Sequence, residues 1–132
     1  MFVAASAVVA ILARDPEAAE LSAKIAAATH PISTGHVLLE ASMRLASILR
    51  VRPDLAKDAV LEMFGEAGID VVSIDRVVGE RAVAAFARFG KGRGGAAQLN
   101  FGDCLTYACA SVHEAALLFK GEDFAATDAR RA

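Results

Sequence analysis

Met1-Phe2-Val3-Ala4-Ala5-Ser6-Ala7-Val8-Val9-Ala10-Ile11-Leu12-Ala13 is almost wholly apolar and stops at Arg14-Asp15. An export signal, a membrane span, or a buried strand running into a buried helix would each look apolar. A signal peptide carries a positive segment ahead of its apolar stretch, and none stands here despite the Ala5-Ser6-Ala7 triplet. A membrane helix needs about 20 apolar residues, and this run ends too soon. The expectation is a short central strand over residues 1–5 and a helix from Ala7 to Arg14. Ser6 is expected to cap that helix by accepting from its first free N–H groups.

Outward from this stretch, strand and helix signals alternate. Pro16 suits the first turn of a second helix to about Ala28, with Leu21 and Ile25 inward. After His30-Pro31, residues 32–34 read as a brief strand. Gly35 opens a helix through Arg50 in which Leu38, Leu45 and Leu49 recur at helical spacing. Pro53 starts the next helix, with Leu55, Ala59, Val60, Met63 and Phe64 as its apolar stripe, and Gly68 ends it. Residues 69–74 read as strand. Asp75 caps a helix whose inward face is Val78, Ala82, Ala85, Phe86 and Phe89, and residues 90–95 form the one long glycine-rich loop. Asn100 is the next N-cap, with Phe101, Leu105, Ala108 and Val112 inward. Residues 115–119 suit a last core strand, and the tail from Gly121 reads as polar. Such alternation implies right-handed crossovers and a parallel sheet covered on both faces, an α/β fold.

The chain of 132 residues and 13.7 kDa fits a single domain over residues 1–132. Hydrophobic residues make up 55%, which excludes a disordered tail. With 14 basic and 16 acidic residues the net charge is −2, so no global positive field draws the chain to nucleic acid or membrane, and any polyanion site must be local. Cys104 and Cys109 lie five apart in one expected helix, face different ways and cannot bridge each other. That points to core roles and a reducing, cytoplasmic setting.

Ligands of parallel sheets sit beyond the carboxyl ends of the strands. Those ends lead to position 4, the helix holding Glu40, the Asn100-to-Asp103 turn, and the segment with Asp123 and Asp128. Three carboxylates within about 5 Å would repel by roughly 3 kcal/mol per pair at an effective dielectric near 20, so the set would need a cation or hold a proton. Oxygen-only ligands favour Mg²⁺ or Mn²⁺ over zinc. Each member has an ordinary explanation too. Glu40 sits four residues from both His36 and Arg44, as in a solvent-facing ion-pair stripe. Asp103 complements a helix N-terminus without any metal, and Asp123 and Asp128 fit surface loops. Gly90-Lys91-Gly92-Arg93-Gly94-Gly95 matches G-x-G-x-x-G but follows a helix instead of a strand, against a dinucleotide site. Lys91 and Arg93 in it suit either phosphate contact or a plain solvated loop. His36 and Glu40 have metal-ligand spacing, yet no second His or Cys completes a zinc pattern.

Several stretches taken together resemble PIN-domain ribonucleases, and more narrowly the VapC-type toxins of toxin–antitoxin pairs. They are the opening twelve residues, Glu40, Phe89-Gly90-Lys91-Gly92-Arg93, Leu99-Asn100-Phe101-Gly102-Asp103-Cys104, and Leu117 to Phe124 with Thr127-Asp128. The resemblance implies a three-layer α/β/α sandwich and Mg²⁺-dependent endonucleolytic cleavage of RNA, transfer or ribosomal. Its acidic site carries over to Glu40, Asp103 and Asp123, with Ser6, Asn100 and Asp128 in outer roles and Lys91, Arg93 and Lys120 toward RNA. It also implies a VapB-like antitoxin, contact with DNA only through that partner, and a homodimer. One departure matters most: Ala4 stands where the family has a metal-binding aspartate, so metal affinity and hydrolysis should fall while the fold survives. A smaller one is Gly94-Gly95, where relatives usually carry histidine and proline. The competing expectation is a non-catalytic scaffold that holds the antitoxin and shares in repressing its operon.

Overall fold

The computed structural model describes residues 1–132. In chain order its elements are β1 (Phe2–Val3), α1 (Ala5–Leu12), α2 (Ala18–Ala27), β2 (Ile32–Thr34) and α3 (Gly35–Leu49). Then come α4 (Pro53–Ala67), β3 (Asp70–Val72), α5 (Arg76–Phe89), α6 (Phe101–Val112) and β4 (Leu117–Leu118). All pairings are parallel and the strand order is β3-β2-β1-β4. From β1 the chain steps outward through β2 to β3, then returns to the other side of β1 for β4. Right-handed crossovers put α1 to α4 over one face and α5 with α6 over the other. In agreement, α1 packs on α2, α3 and α4, whereas α5 packs on α6. The fold is the expected three-layer α/β/α sandwich.

With strands of two or three residues the ladder contributes few hydrogen bonds, so packing must hold the layers. One cluster of 31 buried apolar residues runs through both faces. β3 is an exposed edge, with Asp70 and Val71 open to solvent. The edge at β4 is covered: Leu117 N donates to Arg130 O at 2.7 Å and Ala132 N donates to Leu117 O at 2.9 Å. Phe124 is buried against Phe119, ring centroids 5.2 Å apart, so the tail read as polar supplies a core side chain.

Local signals explain most boundaries. Gly68 takes φ 64° to end α4, and Asp75 Oδ1 accepts from Val78 N at 3.0 Å to start α5. Ser6 does not cap α1. Strand β1 ends at Val3, where Ala4 N still donates to Leu118 O at 3.0 Å, so Ala4 becomes the N-cap with extended backbone and no side-chain bond. Ser6 falls inside the first turn and its Oγ accepts from Lys120 N at 3.0 Å. Leu55, Phe86 and Phe101 were expected inward but are 55%, 44% and 85% exposed, because each lies on an apolar stripe wider than the face its helix presents to a neighbour. Strands β3 and β4 are also shorter than the apolar runs at 69–74 and 115–119. Apolarity extends past the residues that find a pairing partner.

One imidazole helps join the two helical layers. His36 Nδ1 bonds Thr34 Oγ1 at 2.6 Å and Nε2 bonds Thr106 Oγ1 at 2.9 Å, joining the start of α3 to α6. Burial pushes this imidazole below its ordinary value, a backbone contact with Gly102 opposing in part. A histidine with a depressed folded pKa is neutral in the fold while the unfolded chain binds a proton. Its cost is therefore absent above about pH 6.5 and grows as pH falls below that value, levelling off under the folded pKa. Thermal melts from pH 8 to 5 should show a fall in Tm for the unsubstituted chain that is shallower in His36→Gln. Parallel curves would show that His36 does not contribute.

Candidate active site

The crossover that leaves β1 and the one that enters β4 run over opposite faces of the sheet, and a crevice opens at this switch point. A small cavity of about 20 Å³, room for one water-sized species, lies there. Its wall includes Ala4 and Ser6 at the start of α1, Glu40 and Arg44 from α3, Asp103 and Thr106 from α6, and Asp123 beyond β4. Two crossovers and the segment after β4 thus bring Glu40, Asp103 and Asp123 to one place.

Each carboxylate is held differently. Asn100 and Asp103 form a capping box: Asp103 N donates to Asn100 Oδ1 at 2.9 Å and Asn100 N to Asp103 Oδ2 at 3.1 Å. The box fixes the carboxylate and leaves Oδ1 without a hydrogen bond inside the chain. Glu40 packs beside the first turn of α6, where a Cβ on Gly102 would meet its Oε1 at 3.5 Å. Asp123 is exposed at the rim. Burial is the largest cause that raises the Glu40 and Asp103 pKa values. The charge of Asp103 and Asp123 adds to it for Glu40, and that of Asp123 for Asp103, where the Asn100 N–H opposes. Arg44 offsets both in part. No three His, Cys, Asp or Glu side chains converge closely enough to hold an ion as the chain stands.

The ordinary reading of Glu40 does not survive. His36 spends both ring nitrogens on threonines, and Arg44 stands at the cleft without closing an ion pair on Glu40. Arg44 and Thr106 also line this cleft, and sequence reasoning missed both. Spacing of four from Glu40 is the signal for Arg44, but on an isolated helix that spacing reads as a solvent-facing pair. Asp128 is not at the cleft: it accepts from Tyr107 Oη at 2.5 Å and from Arg88 at 3.1 Å, tying the tail to α5 and α6. Lys120 is turned to the α1–α2 connection, 2.6 Å from Asp15 and 3.5 Å from Glu17. Lys91 and Arg93 are exposed on a loop closed by the Gly90–Leu99 bridge, with Gly92 and Gly94 at φ 82° and 87°. That loop joins two helices, which removes the dinucleotide reading. Cys104 and Cys109 are free and buried, and burial pushes the Cys109 thiol up to about 11.

Comparison with known proteins identifies the family. The PIN domain model matches residues 1–130. Ribonuclease VapC28 of Mycobacterium tuberculosis is 37% identical over 132 residues, covering 100% of this chain and 97% of the relative. VapC ribonuclease R02377 of Rhizobium meliloti is 33% identical over 138 residues, covering 96% and 97%. Ribonuclease VapC36 of Mycobacterium tuberculosis is 37% identical over 129 residues, covering 97% and 90%. With likeness of this extent along nearly its whole length, the chain belongs to the PIN-domain family, in the branch of the VapC-type ribonucleases.

Proposed function

We propose that this chain is the toxin half of a toxin–antitoxin pair, a Mg²⁺-dependent endoribonuclease whose hydrolysis is impaired by Ala4. The observation that carries the reading is the gathering of Glu40, Asp103 and Asp123 in one cleft, with Ala4 in its wall at the end of the central strand. The donor set suits a hard cation: carboxylate oxygens line the cleft, without thiol or imidazole, and Mn²⁺ would fit the same set. It is short in number, since alanine offers no ligand atom and the remaining carboxylates have not converged. When bound, the ion supplies an activated water and neutralises charge growing on the phosphoryl oxygens.

The chain's own residues divide the remaining work. Asp103 is the chief ligand left, with Oδ1 free and Oδ2 steadied by the Asn100 N–H. Glu40 and Asp123 hold the ion or orient the water. Ser6 Oγ already accepts from Lys120 N and keeps its own proton to donate. Lys91 and Arg93 carry RNA phosphates toward the cleft. Lys120, neutralised by two carboxylates, fixes the α1–α2 connection beside the site. Position 4 already has the extended N-cap backbone that aspartate favours, so a carboxylate there suits the start of α1, at a cost in desolvation and repulsion while the cleft holds no cation. The same proposal includes one domain over residues 1–132, a cytoplasmic location, a VapB-like antitoxin, DNA contact only through it, and transfer or ribosomal RNA as substrate. Ala4 also favours a second reading, a scaffold that binds antitoxin without cleaving.

RNA cleavage with Mg²⁺ separates the two. Ala4→Asp should cleave at least about a hundredfold faster than the unsubstituted chain, and chelator should abolish the gain, as should Asp103→Asn in the Ala4→Asp background. Silence of all forms on transfer and ribosomal RNA would favour the scaffold. Charge reversal at Lys91 and Arg93 together should weaken RNA binding and flatten its salt dependence by about 1.4 for two phosphates of a single strand; an unchanged slope removes them from the RNA path. The homodimer rests on exposed Leu39, Met43 and Val83, at 62%, 60% and 71%. Light scattering at micromolar concentration should give twice the chain mass, and a monomer contradicts the pairing.

A further inference from the structure

The acidic cleft continues into a larger groove of about 420 Å³ between α1 and α3, and the two share Ser6, Arg44 and Asp123. Val9, Ala10, Ala13 and Ile48 make part of the groove's wall, while Lys120 and Asp15 close it as a paired couple. Lys120 is thereby spent. Arg44 is exposed and forms no ion pair, the one cation of this groove free to meet an incoming anion. Ile48, one helical turn further on α3, is 55% exposed although it is large and apolar. Glu40, Arg44 and Ile48 therefore form a single stripe along α3, in the order carboxylate, guanidinium, hydrocarbon, each step advancing about 6 Å along the axis.

We propose that this groove is the subsite for the nucleotide adjoining the scissile bond, with the Arg44 guanidinium bound to its phosphate and Ile48 packed against its sugar and base. The inference rests on the ribonuclease reading and names the residues by which that site holds single-stranded RNA. The step along α3 is comparable with one nucleotide of an extended strand, so a phosphate at Arg44 leaves the next one over the carboxylates. A guanidinium presents two parallel donors to a phosphate, and an apolar side chain tolerates any base because every base has an apolar face. A positive group at the rim also keeps three carboxylates from repelling the substrate before a cation arrives. An acidic peptide would use Arg44 equally well but gives no role to the continuity between groove and cleft.

The test is fluorescence anisotropy of a labelled ten-nucleotide single-stranded RNA, titrated in chelator over a series of salt concentrations so that cleavage does not intervene. Arg44→Gln should weaken binding about tenfold and reduce the salt slope by about 0.7, whereas Arg44→Lys should keep the slope. Ile48→Ser should weaken binding severalfold and leave the slope alone. Both side chains are exposed, so melting temperatures should stay within a few degrees of the unsubstituted chain, which separates lost contact from lost fold. If Arg44→Gln changes neither affinity nor slope while Ala4→Asp cleaves RNA, the subsite is wrong and the ribonuclease reading stands. If no form binds or cleaves RNA, both fall together. An acidic peptide that binds in an Arg44-dependent way while RNA does not would assign the groove to a protein partner and overturn the proposal.

Discussion

Burial of Phe2 and Val3 is the constraint on which the rest of the molecule depends. Both are 0% exposed, with β2 pairing on one edge of β1, β4 on the other, and helical layers on both faces. A two-residue strand in that position has no polar side chain to solvate, so the chain must leave it at once at either end. Ala4 is consequently delivered to the crevice, within one residue of the strand. The covered β4 edge follows from the same economy of length. A two-residue strand would leave its outer groups open were Arg130 and Ala132 not paired to Leu117. Short strands thus make the C-terminal tail part of the fold, and Phe124 is the side chain that fastens it.

What was legible in the sequence was what is decided locally. Gly68, Asp75 and Asn100 mark helix ends because their own backbone or side-chain chemistry satisfies the orphan groups there, and all three do so in the structure. The strand order could be inferred only as a class, since hydrophobic runs do not say which strand pairs with which. Ser6 shows how the reading fails: one residue's difference in where β1 stops changes a cap into a first-turn residue that fixes Lys120 instead. Phe101 fails differently. Helical spacing gives its direction around α6, but whether anything packs on that direction depends on elements distant in sequence, and nothing does.

The candidate site shows the same division. Glu40, Asp103 and Asp123 could be gathered from the rule about strand ends, because topology alone carries each to the crevice. Arg44 could not, since an i,i+4 partner of Glu40 on an isolated helix is a solvent ion pair. It comes to line the cleft only once α6 and the loop after β4 close the other walls. Asp128 errs in the opposite sense. It is close in sequence to Asp123, but the covered β4 edge turns it toward Tyr107 and Arg88, where it holds the tail.

The charge balance of the cleft bears on why Ala4 is compatible with a stable fold. Burial and mutual repulsion already disfavour the ionised forms of Glu40 and Asp103, and one rim guanidinium offsets this only in part. A fourth carboxylate at a position 3% exposed would add both desolvation and repulsion whenever no cation is present. An N-cap carboxylate would return about 0.5–2 kcal/mol by accepting from the first turn of α1. On the proposed reading an aspartate at this position is therefore costly to the empty fold and favourable to the cation-bound one. With alanine the chain keeps its buried core, its helix start and its strand pairing without a fourth buried charge at this position.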